Sequence, residues 1–242
     1  MNSNRQEALK ATNAVIARLL KIGRLEEFQN QIDEMEKMGT IIALTEDEVK
    51  SLDSQPHHYN KLSYTLSSTS ASTPLRVLRD STSKVPNAGG IFSVISKVAT
   101  GLDIGDGLTS IIHHRLGKYA ASLDIRKAYR QLLVSHRDSM LRLTIWFKDP
   151  KNKQNLIIYR TATCDFGDSQ ASLALRVAQD KYIAANARTK LGIIASSIPF
   201  ADNYLFSGKS KEEVLEAIIE LISLHKKYGM PLKNPSHNLG PE

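Results

Sequence analysis

Two stretches of this chain carry carboxylates where backbone elements end, and carboxylates so placed can hold a cation. In Tyr119-Ala120-Ala121-Ser122-Leu123-Asp124, a small-residue strand runs into Asp124, and a basic and aromatic turn, Ile125-Arg126-Lys127-Ala128-Tyr129, follows. In Ile198-Pro199-Phe200-Ala201-Asp202-Asn203-Tyr204-Leu205-Phe206-Ser207-Gly208, an apolar run pauses at two polar residues and resumes. The second stretch reads as a β-hairpin with Asp202-Asn203 as its two-residue turn, because both residue types tolerate the positive φ such turns demand. That conformational reading of Asp202 and Asn203 is complete by itself. Asp124 supplies the other reading. A strand-end carboxylate and a hairpin-tip carboxylate on one sheet can bind a hard cation such as Mg²⁺ through oxygen. Two such ions about 4 Å apart serve phosphoryl transfer, activating a sugar hydroxyl and steadying a pyrophosphate leaving group.

The elements that must position these groups are legible as periodicity. Residues 5 to about 38 have helical spacing, interrupted at Gly23 and closed by Gly39 as a C-terminal cap. Leu141 to Phe147 alternates, Asp149-Pro150-Lys151-Asn152 turns and Leu156 to Thr163 returns, which predicts a hairpin with one face buried and Trp146 packing on another element. Ser169 can cap a helix running to about Arg188. Ser210 can cap a last helix with Glu212 and Glu213 at its positive end and Val214, Leu215, Ile218, Leu221 and Ile222 inward. Strand, helix, hairpin, helix in that order is an α+β pattern with an antiparallel sheet and packed helices.

Other candidate groups have plain readings. Glu46-Asp47-Glu48 reads as a solvated helix start, since nothing nearby completes a coordination shell. Adjacent His57 and His58 point apart on a strand and make a poor chelate. The tract from Ser63 to Thr73 is polar and of low complexity, which predicts a mobile loop, with Arg76 just beyond it either solvated or placed to meet a phosphate.

Bulk properties set limits. With 242 residues, 41% of them hydrophobic, the chain can bury one sizeable core or two smaller lobes. A net charge of +7 spread along the sequence suits a polyanionic partner such as nucleic acid, and also serves solubility. One cysteine, Cys164, rules out an internal disulfide and a cysteine-based zinc cluster. No apolar run is long enough to span a bilayer and the N-terminus lacks a signal-peptide core. The expected setting is intracellular, cytoplasmic or nuclear, with no membrane partner.

Taken together, these blocks resemble the reverse transcriptases, most closely those of BEL/Pao-type retrotransposons. Leu25 to Leu44, with Glu34-Met35-Glu36-Lys37-Met38-Gly39, is similar to the helix and turn that open the fingers. His57-His58 and then Leu75-Arg76-Val77-Leu78-Arg79-Asp80-Ser81 resemble a Pao-type segment. Asp124 to Tyr129 resembles the first catalytic motif, and Phe166-Gly167 the template-grip and nucleotide-pocket motif. Phe200 to Asn203 stands where the family carries aromatic-x-Asp-Asp, and Gly229-Met230-Pro231-Leu232-Lys233 resembles the closing palm motif with its lysine. The order of the blocks matches over roughly residues 25 to 238.

The resemblance implies fingers and a ferredoxin-like palm without a thumb, with residues 1–48 as a helical segment leading into the fingers and 49–242 as the core. It implies an RNA-directed DNA polymerase acting on template-primer and deoxynucleotides. Asp124, Asp202 and the carbonyl of Ile125 would bind Mg²⁺ or Mn²⁺, and Asn203 would complete the catalytic set. Arg76 would clamp the triphosphate, Tyr129 would exclude a ribose 2′-hydroxyl or simply pack in the core, Phe166 and Gly167 would line the nucleotide pocket, and Lys233 would meet the substrate. The sequence departs from the family at Asn203, which stands for the second hairpin aspartate, and at Pro74, Arg79, Gln170, Ala171 and Asn234. An amide for a carboxylate removes a charge from a site meant for two dications, so weak metal binding and impaired catalysis are expected. The rival expectation is a domesticated module that keeps the fold for nucleic-acid binding or protein assembly.

Overall fold

Arg5–Lys21 (α1) and Leu25–Lys37 (α2) are the two helices that the N-terminal spacing predicts, and Gly23 and Gly39, both at φ +69°, make the turns that end them. A side chain at either position would strain the left-handed backbone. The computed structural model describes residues 4–67, 74–80, 107–165, 168, 171–186 and 202–240. The chain divides into two units, Met1–Val98 with Leu133–Asp168 and Ala99–Leu132 with Ser169–Glu242. Each is mixed α and β with antiparallel sheets and packed helices.

In the first unit, Ile41–Ala43 (β1), Gln154–Thr161 (β6) and Leu143–Asp149 (β5) form an antiparallel sheet in the order β1-β6-β5. Lys61–Leu66 (β2) pairs with Leu75–Asp80 (β3), Thr65 opposite Arg76. Ser63 to Leu66 therefore belong to a strand, which corrects the reading of the whole Ser63 to Thr73 tract as a mobile loop; residues 68–73 lie outside the described residues. The alternation of Leu62 and Tyr64 against Leu75 and Val77, all turned toward α1 and α2, supplies the apolar face that makes a strand pay here.

The hairpin of β5 and β6 forms in the expected place, but both faces of β5 are buried. Leu143 and Ile145 pack with Ala8, Leu52, Tyr59 and Met140, while Trp146 joins Val15, Phe28 and Tyr159 on the other side. Phe28 and Trp146 rings lie 4.8 Å apart, and Trp146 Nε1 donates to Gln29 Oε1 at 2.7 Å. The indole thus satisfies its polar edge while burying its body. Glu46–Ser51 (α3) is held by a capping box, Thr45 Oγ1 accepting from Glu48 N and Glu48 Oε2 accepting from Thr45 N. His136–Met140 forms a short helix (α5) entered through Ser135. Cys164 is buried, and burial pushes its thiol up.

In the second unit, Tyr119–Asp124 (β4) is the central strand, with Asn203–Gly208 (β7) on one side and Ser236–His237 (β8) on the other, all antiparallel. Ala121 and Leu123 face a core completed by Leu175, Tyr204, Phe206, Val214, Leu221 and Leu224. Gly107–Leu116 (α4) packs on β7, and Ala171–Asn186 (α6) packs on the 3₁₀ turn Ala128–Gln131. Ser169 lies outside the described residues. Lys211–Lys227 (α7) starts at Ser210, whose Oγ accepts from Glu213 N. Its inward face is Val214, Ala217, Ile218, Leu221 and Leu224; Leu215 and Ile222, expected inward, are exposed. At about 100° per residue, a stripe centred between Ile218 and Leu221 leaves both of them on its shoulders.

Asn203 is the first residue of β7, and Asp202 stands in the turn before it. Asn203 thus pairs with Asp124 as a strand residue and is not part of the two-residue turn drawn from the sequence. Phe200 and Ala201 lie outside the described residues. Among the described residues no helix is long and apolar enough to cross a membrane.

Candidate functional site

Strand pairing brings Asp124, Asp202 and Asn203 together. Asp124, last residue of β4, is the cross-strand partner of Asn203, first residue of β7. The amide of Ile125 donates to the carbonyl of Asp202 at 2.9 Å, so the ladder continues one step beyond the strands and fixes Asp202 beside the Asp124 end. The proximity has an electrostatic consequence. Burial holds the Asp202 carboxyl above its usual range and the neighbouring Asp124 carboxylate pushes it further the same way, while its own backbone amide and Lys233 oppose them.

The other flank of β4 is set by the segment that carries Lys233. Arg126 N donates to Pro231 O and Lys233 N donates to Asp124 O, both at 2.8 Å, and Ile125 bridges to Leu232. These bonds leave Lys233 beside Asp124, and its Nζ lies 2.6 Å from Asp124 Oδ1. That oxygen is closed off from solvent, and the contact is an ion pair by distance without the alignment of a hydrogen bond. The turn between the flanks passes through Lys127 in the left-handed region, φ +52°. For a residue with a Cβ this costs on the order of 1 kcal/mol, which the bonds on both sides of the turn offset.

Tyr129 belongs to the 3₁₀ turn that follows. Its ring is half-buried against the core and its hydroxyl lies 3.2 Å from Ser172 Oγ on α6. Its packing role is visible directly. Arg76 lies on β3 in the first unit with its side chain exposed. Phe166 and Gly167 lie outside the described residues. Comparison with models of protein families and with curated proteins finds no match.

Asp124, Ile125, Asp202, Asn203 and Lys233 are thus adjacent in one unit, and their charges decide which cations they suit. A pair of dications needs carboxylates enough to balance them. Here there are two, an amide stands where a third could, and an ammonium already lies against the solvent-shielded oxygen of Asp124. Among the described residues no group of three or more His, Cys, Asp or Glu side chains is arranged to hold a metal. The donors present do not fit a two-metal centre; they suit one positive charge.

Sequence reasoning assigned Lys233 to substrate and missed its pairing with Asp124, because register across β4 and the Pro231 segment has no signature in the sequence. It also missed a buried charge network in the first unit. Arg79 Nε donates to Asp165 Oδ2 at 2.7 Å, and Arg142 donates to Asp168 Oδ2, which also accepts from Asp165 N. Burial holds the Asp168 carboxyl above its usual range, with Arg142 opposing. A signal for Arg79 did exist. Leu75, Val77 and Arg79 share one parity of β3, so an inward cation needed a buried anion.

Proposed function

We propose that this chain is a fingers-and-palm core of the reverse-transcriptase kind, similar to those of BEL/Pao retrotransposons, whose polymerase chemistry is lost or severely weakened. The order of the motif blocks supports the lineage. One structural observation carries the reading: Asp124 and Asn203 face each other across paired strands with Asp202 adjacent, which is where two strand ends of such a palm present their acidic residues. On this reading the first unit is the fingers and the second the palm, with a ferredoxin-like sheet built around β4.

The departure at the site accounts for the loss. Asn203 supplies no charge, while Lys233, which the family's closing palm motif also carries, lies against Asp124. Mg²⁺ or Mn²⁺, if bound, would supply charge neutralisation to a triphosphate, and the donor set does not suit a pair of such ions. The direct test is primer extension on an RNA template with deoxynucleotides and Mg²⁺ or Mn²⁺. The chain is expected to extend no primer above background, and robust extension would overturn the impairment.

The pairing of Lys233 with Asp124 also favours a second reading, a module retained for binding nucleic acid or assembling with protein and not for chemistry. Its net charge of +7 supplies a sequence-independent attraction to phosphates. Binding of labelled RNA or DNA that needs no divalent ion and falls steeply with salt supports this reading. Absence of binding at low salt removes nucleic acid as the partner and leaves protein assembly.

A further inference from the structure

We propose that Lys233 is the resident cation of the Asp124 and Asp202 pair, so that a divalent ion reaches these carboxylates only by displacing its ammonium. The inference rests on reading this strand end as a remodelled metal site. Its test requires neither polymerase activity nor nucleic acid.

Three features of the geometry carry it. The Asp124 oxygen that Lys233 approaches is shielded from solvent, and Nζ stands 2.6 Å away, inside the space a coordinated ion would need. The backbone of Lys233 is tied to the same residue, its N–H donating to the Asp124 carbonyl at 2.8 Å, with Leu232 bridged to Ile125 and Pro231 bonded to Arg126. The ammonium is therefore positioned by the sheet itself and loses little freedom in pairing. Because 55% of the Lys233 side chain remains exposed, it can swing into water without unfolding its surroundings, and the pairing is displaceable.

Two residues limit metal binding in different ways. Asn203 removes a ligand charge, and Lys233 competes for the charge that remains. Restoring the carboxylate alone, as Asn203→Asp, leaves the competitor in place. Removing the competitor exposes two like charges with nothing between them, a state that a dication relieves.

Mn²⁺ binding, followed by the loss of the free-ion paramagnetic resonance signal, reads this directly. The unaltered chain is compared with Lys233→Met and with Lys233→Gln, which keeps a donor beside Asp124 and guards against a variant that fails to fold. Both neutral variants are expected to bind Mn²⁺ about two- to fivefold more tightly, the value of one modest ion pair. Adding Asp124→Asn to Lys233→Gln is expected to abolish the gain. Equal or weaker binding by the folded neutral variants, or a gain that survives Asp124→Asn, overturns the proposal.

A second measurement uses the unaltered chain, whose fold is not in question. Amine labelling of Lys233, followed by mass spectrometry, should quicken once Mn²⁺ is bound, and labelling that is unchanged or slower with bound Mn²⁺ also overturns it. Should the Mn²⁺ results hold while primer extension proves robust, the impaired-polymerase reading falls and Lys233 keeps its role. The converse outcome removes the role and spares the reading.

Discussion

Arg79 and Asp165 form an ion pair at 2.7 Å in the interior of the first unit, and each side chain keeps under a tenth of its surface in contact with water. Asp165 N continues the network to Asp168, which Arg142 neutralises. In sequence the two aspartates flank Phe166-Gly167, so the network fixes both approaches to that pair of residues. Removing one partner of such a pair leaves a buried charge uncompensated. Arg79→Met is expected to cost about 3–5 kcal/mol, measured by urea unfolding, whereas Arg79→Met with Asp165→Leu recovers most of the loss. A cost below about 1 kcal/mol for the single change would place the pair among hydrated surface bridges.

Gly117 is a site where backbone approaches backbone. A Cβ there would stand 2.6 Å from both the nitrogen and the oxygen of Gly208, whose own Cβ would meet Glu213 Oε2 at 2.8 Å. Main-chain atoms of a paired strand cannot step aside. Gly117→Ala is therefore expected to destabilise the second unit by about 1–3 kcal/mol, as overpacking does. Thermal unfolding checks it, and an unchanged midpoint would mean that α4 and β7 can separate freely.

Two buried histidines make stability depend on pH. Burial lowers His58 and His225 to about 4, and His225 Nδ1 lies 2.9 Å from the Met230 carbonyl, which favours the Nδ1–H tautomer. With the folded values below the ordinary 6.5, the unfolded chain takes up protons first on acidification. The stabilisation from neutral histidine is complete above about 6.5 and is lost as the pH falls toward about 4, at no more than about 1.4 kcal/mol per pH unit for each histidine. Asp168 and Asp202, whose carboxyls are raised, act the other way: their contribution is present below the ordinary carboxylate range and is lost as pH rises through their folded values. Urea midpoints across this window should fall with acidification, and His225→Gln should flatten the slope.

Asn203→Asp places a carboxylate opposite Asp124 in the β4 and β7 register, next to Asp202. Like charges directly opposite are unfavourable by about 0.2–1 kcal/mol. The variant is expected to be less stable than the unaltered chain in a chelating buffer at neutral pH, and to regain only part of the difference in millimolar Mg²⁺, because Lys233 still holds Asp124. Unchanged stability in chelator would show that Asp202 or the new group stays protonated.

Local patterns in the sequence were enough to place α1, α2, the β5 and β6 hairpin and α7, because each depends on apolar period and on caps within one element. Burial on both faces of β5 was not legible, since alternation describes one strand and says nothing of what covers its far side. The strand character of Ser63 to Leu66 was hidden by polar composition; Val77 and Leu75, the partners that stabilise it, lie on the far side of a low-complexity tract. At the candidate site, the proximity of Asp124 and Asp202 was anticipated from types and order. The attachment of Lys233 to Asp124 was not, because it depends on a one-residue register beside β4 that any neighbouring alignment of the Pro231 segment would have destroyed.

β4 waits for both of its neighbours. Ala120 bonds to Asn238, 118 positions later in the chain, and at ordinary translation rates that interval lasts on the order of ten seconds. Until Asn203–Gly208 has been made both hydrogen-bonding edges of the strand are bare, and Asp124 is without its lysine until Lys233 follows. A nascent chain paused in this interval is a natural client for a holdase, and the carboxylate pair forms only once Asp202 has followed Asp124 by 78 residues.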